Sequence, residues 1–378
     1  MNNILQQSKS KFSVITKDLV GIDSPMEELI TPYLGLGNRV CIMGICGMGG
    51  LGKTTLARVI YETKCNHFEG SSFIANIKEV SEKHGLVQLQ KQLLAQILGK
   101  SNIDIWDVHD GANMIKNRLC HKKVLLVLDN VNQLEQLEIL AGDPCWFGLG
   151  SWIIITTRDE HLLIQHRVHN KDRPNTFFDT YKPNTLNDHD ALKLFCLKVF
   201  KNVQPSEDLM QLSQDVVYYA NGLPLALVTL GSFLIGRTMD EWQSALKKLK
   251  NNPQRKIFDT LKVSYDGLED EMWKMIFLDI ACFFRGKLKD RVIEILENCG
   301  FAAKIGIGVL MEKSLLTLEN NKLLMHDLLQ EMGWEIVRQE SLKEPGERSR
   351  LWLLKDLSHV LMKKTVRTMS KPAFYFRA

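Results

Sequence analysis

A chain of 378 residues with 45% apolar and 24% charged side chains is too long for one ordinary core and too apolar for disorder, so two or three packed units are expected. Its net charge of +4 comes from 48 basic and 44 acidic residues interspersed as on solvated helix faces, which argues against a dedicated nucleic-acid binder. The eight cysteines form no C-x-x-C pair, which argues against a structural zinc site and for a reducing compartment.

In chain order, residues 1–19 are polar, lack the apolar core of a signal peptide and read as a linker. VCIMGIC from Val40 is a short, almost wholly apolar run ending in glycines, the pattern of a parallel strand buried on both faces. SSFIANI at 71–77, KVLLVLD at 123–129 and SWIIITTR at 151–158 repeat it, and Phe177–Tyr181 carries a weaker fifth signal. Amphipathic segments such as LVQLQKQLLAQIL at 86–98 fill the gaps. Strands alternating with helices predict an α/β fold, a parallel sheet with right-handed crossovers and helices on both faces.

After Asn187 only helical patterns follow: HDALKLFCLKVF, EDLMQLSQDVVYYA, LPLALVTLGSFLI and DEWQSALKKLK. Beyond the NNP break, FDTLKVSY, EDEMWKMIFLDIACFF, DRVIEILENC and IGIGVLMEK are helical. SLLTL and KLLMH then flank an Asn-Asn turn as a hairpin, and DLLQEMGWEIVRQE completes the pattern of a winged helix. The longest nearly apolar run, Leu223 to Ile235, falls short of the ~20 residues that span a bilayer and contains Pro, Thr, Gly and Ser, so no membrane span is expected. Cys41, Cys46, Cys196 and Cys282 lie inside apolar runs and are expected as small buried hydrophobes.

The chemistry concentrates in GMGGLGKTT, which matches G-x-x-x-x-G-K-[ST] between a buried strand and a helix. Gly47, Gly49, Gly50, Leu51 and Gly52 supply a loop whose backbone N–H groups can curl around phosphates, and the helix start through Thr55 adds its positive dipole end. Lys53 is expected at the β/γ-phosphates and the Thr54 hydroxyl on Mg2+. Asp129, ending an apolar strand, is the expected second magnesium residue. Asn130 follows it where many P-loop ATPases carry an acid; an amide can hold a water but cannot take its proton, so hydrolysis is expected to be slow at most. Arg158 closes the next strand, where it either senses a γ-phosphate or pairs with Asp159 or Glu160. No N/T-K-x-D guanine signature is present, since Asn170-Lys171-Asp172 runs into Arg173, so an adenine nucleotide is favoured.

These residues stand within a longer series of matches. DLVGIDSPMEEL (18–29), GICGMGGLGKTTLARVIY (44–61), FEGSSFIANIKEVSEKHGLVQLQKQLL (68–94), KVLLVLDNVNQLEQLE (123–138) and GSWIIITTRDEHLL (150–163) come in that order. ALKLFCLKVF, NGLPLALVTLGSFL, SYDGL with IFLDIACFFRG, and LLMHDLLQEMGWEIVRQES follow. In this series the chain resembles the NB-ARC module of plant disease-resistance proteins, and the IFLDIACFF wording is similar to the branch carrying an N-terminal TIR domain (TIR-NBS-LRR).

The resemblance implies three subdomains: a P-loop nucleotide-binding domain over 20–186, a helical bundle over 187–252 and a winged helix over 253–363. It implies an ADP/ATP switch of plant innate immunity, closed with ADP and open with ATP, in the cytoplasm or also the nucleus. It carries roles onto Val20 and Gly21 at the base, Pro224 against the adenine, His326 at the ADP β-phosphate with Asp327 bracing the helix start, and Arg158 as γ-phosphate sensor. Without it, His326 reads as a strand-to-helix junction and Pro224 as a helix-start proline. The family's TIR domain and leucine-rich repeats are absent from this sequence, and residues 364–378 read as a non-family tail. Partners implied are full-length resistance proteins or a second copy. The rival readings are an ATPase whose turnover is the output, and a DNA-binding regulator using Arg285, Lys287, Lys289 and Arg291 on the winged helix; acidic neighbours favour a solvated face there.

Overall fold

The computed structural model describes residues 19–33, 37–99, 103–201, 206–249 and 255–363. Most of the expected linker and the whole tail at 364–378 lie outside the described residues. The chain divides into two compact units that meet in sequence between Leu197 and Lys198.

The first unit is built on five parallel strands: β1 (Val40–Cys46), β2 (Gly70–Ile74), β3 (Val124–Val131), β4 (Trp152–Thr157) and β5 (Thr176–Tyr181), in the order β2-β3-β4-β1-β5. The two-residue period of a strand sends alternate side chains to opposite faces. Met43, Ile45, Val127 and Ile154 therefore enter one core, with Leu56, Ala57 and Ile60 of α2 (Lys53–Lys64) and Leu29 of α1 (Asp23–Ile30). Ile42, Leu126, Leu128, Ile153 and Ile155 enter the other, covered by α3 (Ile77–His84), α4 (Leu86–Leu98), α5 (Val108–Leu119), α6 (Leu134–Ala141) and α7 (Glu160–His169). β5 is an edge strand with no buried residue, which accounts for its weak apolar signal.

Two strand ends differ from the expectation. β2 stops at Ile74, because Asn76 takes a left-handed φ of 53° and turns the chain into α3, where Ile77 is fully buried. β3 continues past Asp129 through Asn130, also left-handed at 61°, with a shift of register against β4 between Leu128 and Val131. Cys41 and Cys46 are buried as expected, whereas Cys196 and Cys282 are only half-buried.

After α8 (Asp188–Phe200), the second unit holds α9 (Glu207–Ala220), α10 (Pro224–Leu234), α11 (Met239–Leu249), α12 (Arg255–Asp266) and α13 (Glu271–Asp279). α13 runs into a π-helical turn, Ile280–Phe284, marked by the Arg285 N–H bonding the Ile280 carbonyl at 2.9 Å. α14 (Lys289–Asn298), α15 (Ala303–Glu312), the hairpin β6 (Thr317–Glu319) and β7 (Lys322–Leu324), and α16 (Asp327–Glu340) complete the winged helix. Asn320 and Asn321 at the hairpin tip are both left-handed, as a two-residue turn of matching twist requires. The chain then returns across α13: buried Arg350 pairs with buried Asp279 at 2.5 Å, and Arg348 pairs with Asp356 of α17 (Leu354–Lys363) at 2.9 Å. Among the described residues no helix is long and apolar enough to cross a membrane.

Candidate phosphate-binding site

The carboxyl end of β1 opens into the glycine loop that leads to α2. Gly50 and Gly52 hold φ of 89° and 85°, which L side chains rarely adopt. Gly52 is the N-cap of α2 and offers no side chain to its first turn, so the N–H groups of Lys53, Thr54 and Thr55 stand at an uncapped positive end. Leu51 packs back over Gly47, where a Cβ would come within 2.9 Å of its Cδ1.

Lys53 is 8% exposed, and its ammonium donates to the carbonyls of Gly47 (2.7 Å) and Met48 (2.8 Å). Burial pushes its pKa down to about 7, and the nearby Arg158 charge adds to the effect. Arg158 reaches over the loop: a Cβ on Gly49 would sit 2.7 Å from its Nη1. Burial also lowers the Arg158 pKa. Next to it in sequence, Asp159 caps α7, and Glu160 bonds Lys182. Two cations thus converge on one glycine loop in a poorly hydrated setting, an arrangement that a polyphosphate relieves.

Asp129, two residues before the end of β3, bonds the first turn of α2 and is 4% exposed. Its Oδ1 accepts from the hydroxyls of Thr54 and Thr156, both at 2.7 Å, and its Oδ2 from the Asn76 N–H at 3.4 Å. The Thr156 hydroxyl in turn accepts from the Asn130 N–H at 2.8 Å. A hydroxyl beside a carboxylate is a hard oxygen donor pair, the kind that holds Mg2+ together with phosphate oxygens and water. The Asn130 side chain turns to Asn76, donating to its Oδ1 at 2.9 Å. Asn76 and Thr156 carry no motif that marks them in the sequence; Asn76 lies two residues past β2 and Thr156 is the penultimate residue of β4.

Gly21, with φ of 69°, lies against the side chains of Leu186 and Asp190, and a Cβ there would come within 2.6 Å of the Leu186 Cδ2; Val20 beside it is half-buried. Pro224 and His326 belong to the second unit. Pro224 opens α10 at its first turn. His326 opens α16, its Nδ1 accepting from the Leu328 N–H at 3.2 Å and its Nε2 lying 3.0 Å from the Asn221 carbonyl.

Comparison with known proteins gives two family matches: the NB-ARC domain over residues 22–204, and the winged-helix domain described as Disease resistance protein Roq1-like over 270–341. The chain is 44% identical over 374 residues to disease resistance protein RPV1 of Vitis rotundifolia, covering 98% of this chain and 26% of that protein. It is also 44% identical to TMV resistance protein N of Nicotiana glutinosa, covering 97% of this chain and 32% of that one. It therefore spans about a quarter to a third of the length of these relatives. Among solved structures, a Walker-type ATPase of Pyrococcus abyssi shares the fold at TM-score 0.53 and 13% identity, over 84% of this chain and 97% of that one. The ORC2 protein of Aeropyrum pernix, in ADPNP–ADP complexes, does so at TM-score 0.50 and 13% identity, over 85% and 95%.

Proposed function

Because the chain belongs to the NB-ARC family, its NB-ARC domain followed by a winged-helix domain of the disease-resistance type, we propose that it is an ADP/ATP-binding switch with magnesium. The observation that carries this reading is the buried Lys53 ammonium and the Arg158 guanidinium on one uncapped glycine loop, facing an Asp129–Thr54 oxygen pair. When bound, Mg2+ would neutralise charge on the β- and γ-phosphates. Thr54 and Asp129 would hold it, Lys53 and the loop N–H groups would hold the phosphates, and Arg158 would distinguish a γ-phosphate from its absence. Val20, Gly21 and Pro224 are assigned to the base and His326 to the ADP β-phosphate on the family resemblance.

The output proposed is regulation of plant defence signalling from the cytoplasm or nucleus, through self-association or association with longer relatives. Three subdomains, 20–186, 187–252 and 253–363, are the proposed moving parts. Asn130 supports slow turnover, and hence a switch over an ATPase whose turnover is the output. Identifying the nucleotide released from the purified, heat-denatured protein by ion-pair chromatography tests the reading. Stoichiometric ADP is expected; an empty preparation that also fails to bind added ADP and ATP overturns it.

A further inference from the structure

Asn76 and Asn130 are the left-handed residues that end β2 and carry β3 past its acid, and Asn is among the few non-glycine residues that take this conformation at low cost. Their contacts form one chain of donors. The Asn76 Nδ2 donates to Glu79, which turns the Asn76 Oδ1 away as an acceptor; that oxygen receives the Asn130 Nδ2 at 2.9 Å. The Asn76 main-chain N–H meets Asp129 at 3.4 Å, and the Asn130 N–H reaches the same carboxylate through the Thr156 hydroxyl. Position 130 is therefore held by a side-chain donor bond, and what remains for a water is the second N–H and the side-chain oxygen of Asn130, neither of which can take a proton from it.

We propose that Asn76 is a positioning residue that dictates an amide at position 130 and so keeps hydrolysis at this site slow; this rests on the nucleotide reading above. A carboxylate at 130 would set acceptor against acceptor across the 2.9 Å separation from the Asn76 Oδ1. Turning the Asn76 amide to donate would place its oxygen against the Glu79 carboxylate. Asn76→Gly removes that acceptor while keeping the main-chain N–H to Asp129 and the left-handed backbone.

The test is a cycle of Asn130→Asp, Asn76→Gly and the double variant in the full chain, read first as Tm without nucleotide. Asn130→Asp is expected to lower Tm by about 2–4 °C in the wild-type background and by less than about 1 °C beside Asn76→Gly. The second reading is single-turnover ATP hydrolysis with Mg2+. In the double variant the introduced carboxylate is free to take the proton of the attacking water as its oxygen bonds the γ-phosphorus and the bond to the β-phosphate oxygen breaks. A rate about tenfold or more above that of Asn130→Asp alone is expected, within the range of general-base help. Additive Tm losses, or a double variant no faster than Asn130→Asp alone, overturn the proposal. Failure of the wild type to bind ADP overturns the nucleotide reading instead, and the Tm cycle still decides whether Asn76 and Asn130 are coupled.

Discussion

His326 gives its ring Nε2–H to the main-chain carbonyl of Asn221 at 3.0 Å, across 105 residues of sequence. The tautomer follows from the other nitrogen, because Nδ1 accepts the Leu328 N–H and so carries no proton. Asp327 strengthens the junction from both sides, bonding the Asn221 Nδ2 at 3.0 Å and pairing with Arg285.

A pH dependence follows. Burial, helped by Arg285, lowers the His326 pKa, against the opposing pulls of the Asn221 bond and Asp327. The unfolded chain therefore binds this proton more readily, and the stability it contributes is complete above the ordinary value of 6.5 and is lost as pH falls below it. Glu331, bonded to Tyr219 and raised by burial, runs the other way. Comparison with His326→Asn, which keeps an N-cap acceptor and removes the titration, isolates the histidine. Thermal melts from pH 7.5 to 5.5 should fall more steeply in the wild type than in the variant; parallel profiles would mean that the ring is protonated without cost.

Lys53→Ala should weaken ADP binding by at least about 100-fold, since it removes the buried charge aimed at the loop. The fold should hold, with Tm lowered by less than about 2 °C, because burying an ammonium against carbonyls costs desolvation that the variant escapes. Calorimetric titration checks the first part and a thermal melt the second.

Gly49→Ala tests the place of Arg158. The backbone of Gly49 is not in the left-handed region, so alanine fits the chain, and the new Cβ displaces the guanidinium rather than the loop. ATP affinity should fall about tenfold, the scale of one charge-assisted hydrogen bond, with ADP affinity changed far less. Arg158→Ala added to it should bring no further loss. Equal weakening of both nucleotides in a filter-binding assay would place the effect in the loop itself.

Arg350→Ala should destabilise the second unit by about 3–5 kcal/mol, because it strands a buried carboxylate. Asp279 is already raised by burial against the pull of Arg350, so without the arginine it takes up a proton more readily still. The deficit in denaturant melts should shrink as pH falls towards 5, and Asp279→Leu combined with Arg350→Met should recover much of the loss.

The sheet was legible because β1, β3 and β4 carry nearly continuous apolar runs, and the glycine loop because its spacing is tied to backbone geometry. β5 was faint since an edge strand needs no continuous apolar run. The bonds around Asp129 were harder: Thr156 and Asn76 are brought to it by neighbouring strands from 27 and 53 residues away, a closeness that strand order creates and no local pattern encodes. The reach of Arg158 over Gly49 was equally hidden, because the spacing of Arg158 fits a surface ion pair just as well. His326 read as a strand-to-helix junction in the sequence, and its cap on α16 has that local character; its bond to Asn221 does not.

The π-helical turn at Ile280–Phe284 amounts to one surplus residue in the turn that closes α13. It aims the Ala281 carbonyl at α16, where it accepts both Gln330 (2.8 Å) and Trp334 (3.0 Å), and it sets the direction from which Arg285 meets Asp327 and Gln330. Excising a single residue from this stretch would let an ordinary helix close over the gap and swing everything downstream by about 100° around the axis. Arg285 would then lose its aim at the start of α16, and Gly286 its bond to the Leu323 carbonyl. The length of IACFF, more than its composition, is thus what keeps the hairpin and α16 in register, and a frame-preserving deletion there would be more damaging than most substitutions.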